Sequence, residues 1–229
     1  MRRISISDDL SECCPHIHLL GIECDVSVES CRNGLKEMMD ARCRAISETL
    51  TMEEISAVPA IDRARKAYRA CGKDPARYRL SAEALLRRVL NGKGLYHINN
   101  VVDLLNLVSV STGFSIGGYD ADQISGDIRM GIGRKHERYD GLGRGELNIA
   151  KMPVLRDDLG AFGSPTSDSE RTGVREETKR FLMVMMSFYG NDGLREAGES
   201  AVQLLTDFAY ASRFEMAEIT GENQVPLNQ

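Results

Sequence analysis

The chain has 229 residues, 42% of them apolar, with a net charge of −5 and a pI near 5.5. That is enough apolar matter for an ordinary buried core, and the acidic balance disfavours a generic nucleic-acid coat, which must neutralise many phosphates with Lys and Arg. Asp8 stands where a secretory leader needs an apolar stretch, and the longest apolar run is only Phe181 to Met186, so no membrane entry is expected. Six cysteines (Cys13, Cys14, Cys24, Cys31, Cys43, Cys71) form no CxxC pair, which points to reduced, mostly buried thiols in a cytoplasmic protein.

Taken in chain order, the alternation around Ile4 and Ile6 and again over 16–22 predicts two strands that start a sheet. Ser30 can cap a helix whose apolar positions Leu35, Met39, Cys43, Ile46 and Leu50 recur at three and four. A second helix over about 61–70 stops at Cys71-Gly72, and Lys73-Asp74-Pro75 makes a turn. Ser81 can cap a third helix, with Leu85, Leu86, Val89 and Leu90 as its apolar side and Asn91-Gly92-Lys93-Gly94 as its end. The next begins at Asn99 or Asn100, with Asn100 and Asp103 as a capping pair, and ends near Gly113. From Ser115 to Gly163, short apolar stretches broken by glycines predict a β-rich region in which His136-Glu137 forms a hairpin tip. Phe181 to Phe188 reads as a buried strand and about 194–211 as an amphipathic helix. The arrangement is α+β, with a mixed or antiparallel sheet and packed helices, rather than regular βαβ alternation.

Charge is unevenly placed. Between Ile61 and Lys93 ten cations face three acids, a local +7, so the remainder carries −12. Arg63, Arg77, Arg79, Arg87 and Arg88 in this segment are candidates for gripping an RNA backbone, since guanidinium matches phosphate through its planar fork, although such charges also serve as a solvated helical face. An acidic protein partner docking on this segment is a further reading. Asn99, Asn100, Asp103 and Asn106 carry amides and carboxylates able to line a pocket, while helix capping explains Asn100 and Asp103 without a ligand. The loop from Ser164 to Thr172 offers five hydroxyls, two acids and Arg171, a composition suited to a ribose, an ester or an attacking water, and equally to turns and caps. Gly117-Gly118 permits close approach of backbone to a ligand. Neither GxGxxG nor GxxxxGK[ST] is present. Cys13, Cys14, His16, His18 and Cys24 fit no closed zinc spacing.

The run His97-Ile98-Asn99-Asn100-Val101-Val102-Asp103-Leu104-Leu105-Asn106-Leu107-Val108 resembles the pattern I-N-N-V-V-D-x-x-N-x-V of the B3/B4 editing domain in the phenylalanyl-tRNA synthetase beta subunit. Gly113 to Asp120 continues in register with that family's G-Q-P-L-H-A-F-D, keeping the first glycine, the aromatic at Tyr119 and the aspartate, with Gly117 in place of the histidine. Gly72 to Arg79 and Gly163 to Thr172 resemble free-standing members that lack a synthetase core. The resemblance spans about 66–220, with no recognised counterpart for the Thr-x-Ala element of the family.

What the resemblance implies is an editing-like domain over 56–229, with 1–55 as an amino-terminal strand and helix segment packed on it, one compact unit in all. The implied partner is tRNA or aminoacyl-tRNA, not DNA, and the implied activity is hydrolysis of a mischarged aminoacyl ester in trans without a metal or organic cofactor. A hydrophobic pocket rejects an isostere with one added hydroxyl only about a hundredfold, which is why a second, hydrolytic site is needed. Asp168 and Glu170 are then the catalytic candidates, with Asn99, Asn100, Asp103, Gly117, Gly118, Tyr119, Ser164, Thr166 and Arg171 around the substrate. The alternative is a binding module for tRNA, an amino acid or a small metabolite that has lost hydrolysis with the histidine.

Overall fold

The computed structural model describes residues 1–31 and 33–227 as eleven strands and six α-helices. Two sheets carry the architecture. The five-stranded sheet has the order β11-β10-β2-β9-β3, formed by β2 (His18–Asp25), β3 (Ser115–Asp120), β9 (Arg180–Ser187), β10 (Ser212–Thr220) and β11 (Asn223–Pro226), all antiparallel. The four-stranded sheet has the order β1-β4-β7-β8, formed by β1 (Ile4–Ile6), β4 (Ile128–Ile132), β7 (Pro153–Asp157) and β8 (Gly160–Gly163), with only the β1 and β4 pair parallel. A separate two-stranded hairpin is formed by β5 (Asp140–Gly141) and β6 (Gly145–Glu146).

The strand expected over Phe181 to Phe188 is β9, an interior strand of the larger sheet between β2 and β3. Its residues Phe181 to Met186 are all at most 2% exposed, as an unbroken apolar run requires when both sheet faces are covered. Helices α5 (Asn100–Thr112) and α6 (Leu194–Ala209) pack on each other and on this sheet. Around them lie α1 (Asp8–Cys13), α2 (Asn33–Thr49), α3 (Pro59–Ala70) and α4 (Ser81–Leu90), with Leu35, Met39 and Ile46 as the buried stripe of α2. Helix α5 ends where Gly113 takes φ 79°, a left-handed conformation that glycine adopts without a Cβ penalty.

Several local expectations change in three dimensions. The two amino-terminal strands enter different sheets, because β2 pairs with β9 and β10 while β1 aligns beside β4. Residues 1–55 thus supply the central strand β2 and the packed helix α2 of the common core. Helix α2 begins at Asn33 rather than directly after Ser30, and Ser81 is the first residue of α4 with its Oγ buried and unpartnered, so it does not cap that helix. Helix α1 and strands β10 and β11 have no counterpart in the sequence reading, being short or charge-rich and formed by pairing. His136 takes φ 62° in the connection between β4 and β5, where Glu137 makes a two-pronged ion pair with Arg156 at 2.7 Å on each side, so this acid is a structural clamp.

Candidate functional site

An unusual electrostatic environment lies where the two sheets meet. The loop leaving β8 turns on Ser164, whose Oγ accepts from the backbone N–H of Thr166 (3.3 Å) and Ser167 (3.1 Å) and donates to Ser167 O (2.8 Å). Two buried tyrosines brace the turn, Tyr68 of α3 through Thr166 Oγ1 at 2.9 Å and Tyr139 through Ser167 O at 2.6 Å. This presents the Asp168 carboxylate to β3, where Oδ1 accepts from the Tyr119 hydroxyl at 2.8 Å and Oδ2 from Gly118 N–H at 3.4 Å. Burial pushes the Asp168 carboxyl up to about 7, with the Tyr119 and Gly118 donors pulling the other way. The carboxyl is densely surrounded by protein, yet the residue keeps part of its surface in solvent.

The glycines explain how the Tyr119 hydroxyl gets there. A Cβ at Gly117 on β3, or at Gly163 on β8, would overlap that oxygen, so the hydroxyl is held in a slot between two glycines on different sheets. Phe162 meets the Tyr119 ring edge-on at 4.9 Å between centroids. Burial raises Tyr68, Tyr119 and Tyr139 far above the usual phenol range, so all three act as neutral hydroxyls. Gly117, Gly118, Tyr119, Ser164, Thr166 and Asp168 therefore form one cluster. Tyr68 and Tyr139 joined it without a sequence signal, one resembling helix core and the other a turn residue.

The remaining candidates separate from this cluster. Glu170 is exposed in a single 3-10 turn (Glu170–Thr172). Arg171 clamps Asp157 of β7 at 2.8 and 2.9 Å and bonds Gln123 O at 3.0 Å, tying the loop to the four-stranded sheet. Although burial opposes it, this pairing holds Asp157 below the ordinary carboxylate range. At the start of α5, Asn99 is the cap, accepting from Val102 N–H at 2.9 Å, which corrects the Asn100 and Asp103 pairing. Asn100 accepts from Glu29 N–H and Val101 N–H and donates to Ser27 O and Phe208 O, so its amide is spent on tying three segments together. Asp103 is fully buried and accepts from Ile98 N–H through Oδ1 at 2.8 Å. Burial raises its carboxyl, and Cys31 beside it is pushed up to about 12 by burial and by Asp103. The spacing Gly113-x-Ser115-x-Gly117 matches a nucleophile elbow, but it runs from helix into strand, and Ser115 lies buried with an unpartnered Oγ.

The basic segment divides into structural and free charges. Glu83, 1% exposed, collects Arg65 at 2.7 Å, Arg87 at 3.1 Å and Arg79 at 3.6 Å. Arg88 stacks 3.8 Å above the Tyr96 ring, and Arg63 lies 4.7 Å above Tyr189 in a different cleft. Arg77, with Arg79 beyond its contact to Glu83, rims a cleft of about 480 Å³ together with Arg144 from the β5–β6 hairpin, and Thr166 forms part of its wall. Lys73 underpins it, donating to Asn148 O at 2.7 Å and Ala150 O at 2.8 Å. The cleft thus shares with Asp168 the loop that Ser164 folds.

The model of the B3/4 domain matches residues 63–210, about two thirds of the chain and the whole of the Asp168 cluster and its cleft. The chain belongs to the B3/4 domain family. Two curated proteins, each a phenylalanine–tRNA ligase beta subunit, resemble it over 132 residues: that of Bartonella henselae at 30% identity across 57% of this chain, and that of Fusobacterium nucleatum at 27% across 55%. This B3/4 protein spans only 16% of the length of those relatives. A crystal structure of an N-terminal fragment of the Pyrococcus horikoshii phenylalanyl-tRNA synthetase beta subunit superposes with TM-score 0.54 at 15% identity, covering 99% of this chain and 54% of that one. The shared fold therefore extends through β1, β2, β10 and β11, outside the residues that the family model matches. Among the described residues no helix is long and apolar enough to cross a membrane.

Proposed function

We propose that this B3/4 domain protein binds the acceptor end of tRNA and hydrolyses a wrongly attached aminoacyl ester in trans, in the cytoplasm. The observation that carries the reading is the Asp168 carboxyl, held by Tyr119 and Gly118 on the same loop that walls a cleft rimmed by Arg77, Arg79 and Arg144, where burial pushes it up to about 7. A general base works best when its pKa lies near the working pH. Ionised Asp168 takes a proton from water as that water attacks the ester carbonyl; the bond from the acyl carbon to the ribose oxygen then breaks, and that oxygen leaves with the proton returned by Asp168. The arginines hold the phosphates, while Tyr119 fixes the carboxylate orientation.

A binding module without hydrolysis is the second reading. It is favoured by the Tyr119 hydroxyl, which fills the space beside Gly117, the position that corresponds to the histidine of the family pattern this segment resembles. Release of amino acid from a panel of correctly and wrongly charged tRNAs separates the two. Selective deacylation that disappears in Asp168→Asn supports the hydrolase. Salt-sensitive tRNA binding lost in Arg77→Ala with Arg144→Ala, without deacylation of any charged tRNA, supports the module. Absence of both refutes tRNA association.

A further inference from the structure

We propose that Cys31, His97 and Asp103 form a binding site for a zinc-class divalent metal ion. One donor atom from each lies within 4.8 Å of the other two, and His97 Nδ1 is 4.0 Å from Asp103 Oδ2. A thiolate, an imidazole and a carboxylate are a donor set that zinc takes, and three protein ligands leave the fourth tetrahedral position for water or substrate. Bonds of about 2.0–2.3 Å put tetrahedral donors roughly 3.3–3.8 Å apart, so a shift of about 1 Å closes the site.

A second observation points to the same place. Asp103 is fully buried and its Oδ1 is fixed by Ile98 N–H, while its Oδ2 makes no conventional hydrogen bond, the Cys31 thiol and the Asn99 backbone being the other donors beside the carboxyl. That oxygen faces the His97 ring, and the Cys31 thiol lies beside the carboxylate. The Ile98 bond orients the carboxylate as a supporting contact does in metal centres. Asn100 secures the third ligand, since its bonds to Ser27 O and Glu29 N–H hold the segment before Cys31 against the start of α5. His97 is half exposed, which gives an ion a way in. Cys31 lies outside residues 63–210, so the B3/4 match alone does not supply this site. Spacing in the sequence hid it, because Cys31 and His97 stand far apart along the chain.

Metal binding would release the Cys31 thiol proton to solvent and balance two negative ligands with one dication. The test is titration of the chelator-treated, reduced full-length chain with Co²⁺, read by absorption, and with Zn²⁺, read by calorimetry. One equivalent should bind, with a sulfur-to-cobalt charge-transfer band that disappears in Cys31→Ser. His97→Ala, a change at an exposed residue, should weaken Zn²⁺ binding at least tenfold, and Cys14→Ser should change neither. Absence of stoichiometric binding overturns the proposal. A band that survives Cys31→Ser, or one that is lost in Cys14→Ser, overturns it too, the latter assigning the metal to the Cys14 and Cys71 thiols.

Discussion

Replacing Asp168 by Asn tests whether a buried carboxylate is kept at a cost in stability. In the unfolded chain this carboxyl titrates near the ordinary value of about 3.9, whereas in the fold burial moves it to about 7. Between those values the native state binds more protons than the unfolded state, so stability contributed through this group falls as pH rises. Integrating the two titrations gives a loss of about 2–3 kcal/mol between pH 5 and pH 8. Asn is nearly isosteric, and its carbonyl oxygen still accepts from Tyr119, so the variant removes the titration while leaving the loop in place. Urea unfolding of both proteins at pH 5, 6, 7 and 8 isolates the group, because every other titration cancels in the difference. The variant should gain on the wild type steadily as pH rises, approaching the limit above pH 7. A difference that stays flat, or that favours the wild type at pH 8, would refute both the burial argument and the assignment of Asp168 as a base near neutrality.

The Gly117 slot is checked by a double-mutant cycle. Gly117→Ala should cost about 1–3 kcal/mol through overpacking against the Tyr119 hydroxyl, and Tyr119→Phe should restore part of it, giving a coupling of at least 0.5 kcal/mol in urea unfolding. Glu83→Gln should lower stability by about 2–3 kcal/mol, below the 3–5 of fully buried pairs because Arg65, Arg79 and Arg87 keep some solvent contact. In filter binding, Arg77→Ala and Arg144→Ala should each weaken tRNA binding and reduce the salt slope by about 0.7, whereas Arg63→Ala, in another cleft, should change neither.

The sequence by itself determined helices α2 to α6 and the buried strand β9, because apolar periodicity, glycine at helix ends and an unbroken apolar run act within a few residues of one another. It also singled out the loop at Ser164 and the glycines at 117 and 118, through hydroxyl density and the missing Cβ. Tertiary structure decided which strands share a sheet. β1 and β2 read alike, yet β1 lies beside β4 and β2 between β9 and β10, since pairing depends on partners more than a hundred residues away. It also decided which candidates meet. Asn100 and Arg171 are site candidates by residue type just as Asp168 is, but they are consumed by structural bonds, while Tyr68, Tyr139 and Arg144 enter the site from three distant segments. A residue type records what a group can do, and only burial and its neighbours fix whether that group is free to do it, as with Asp168, whose pKa near neutrality exists only once the two sheets close around it.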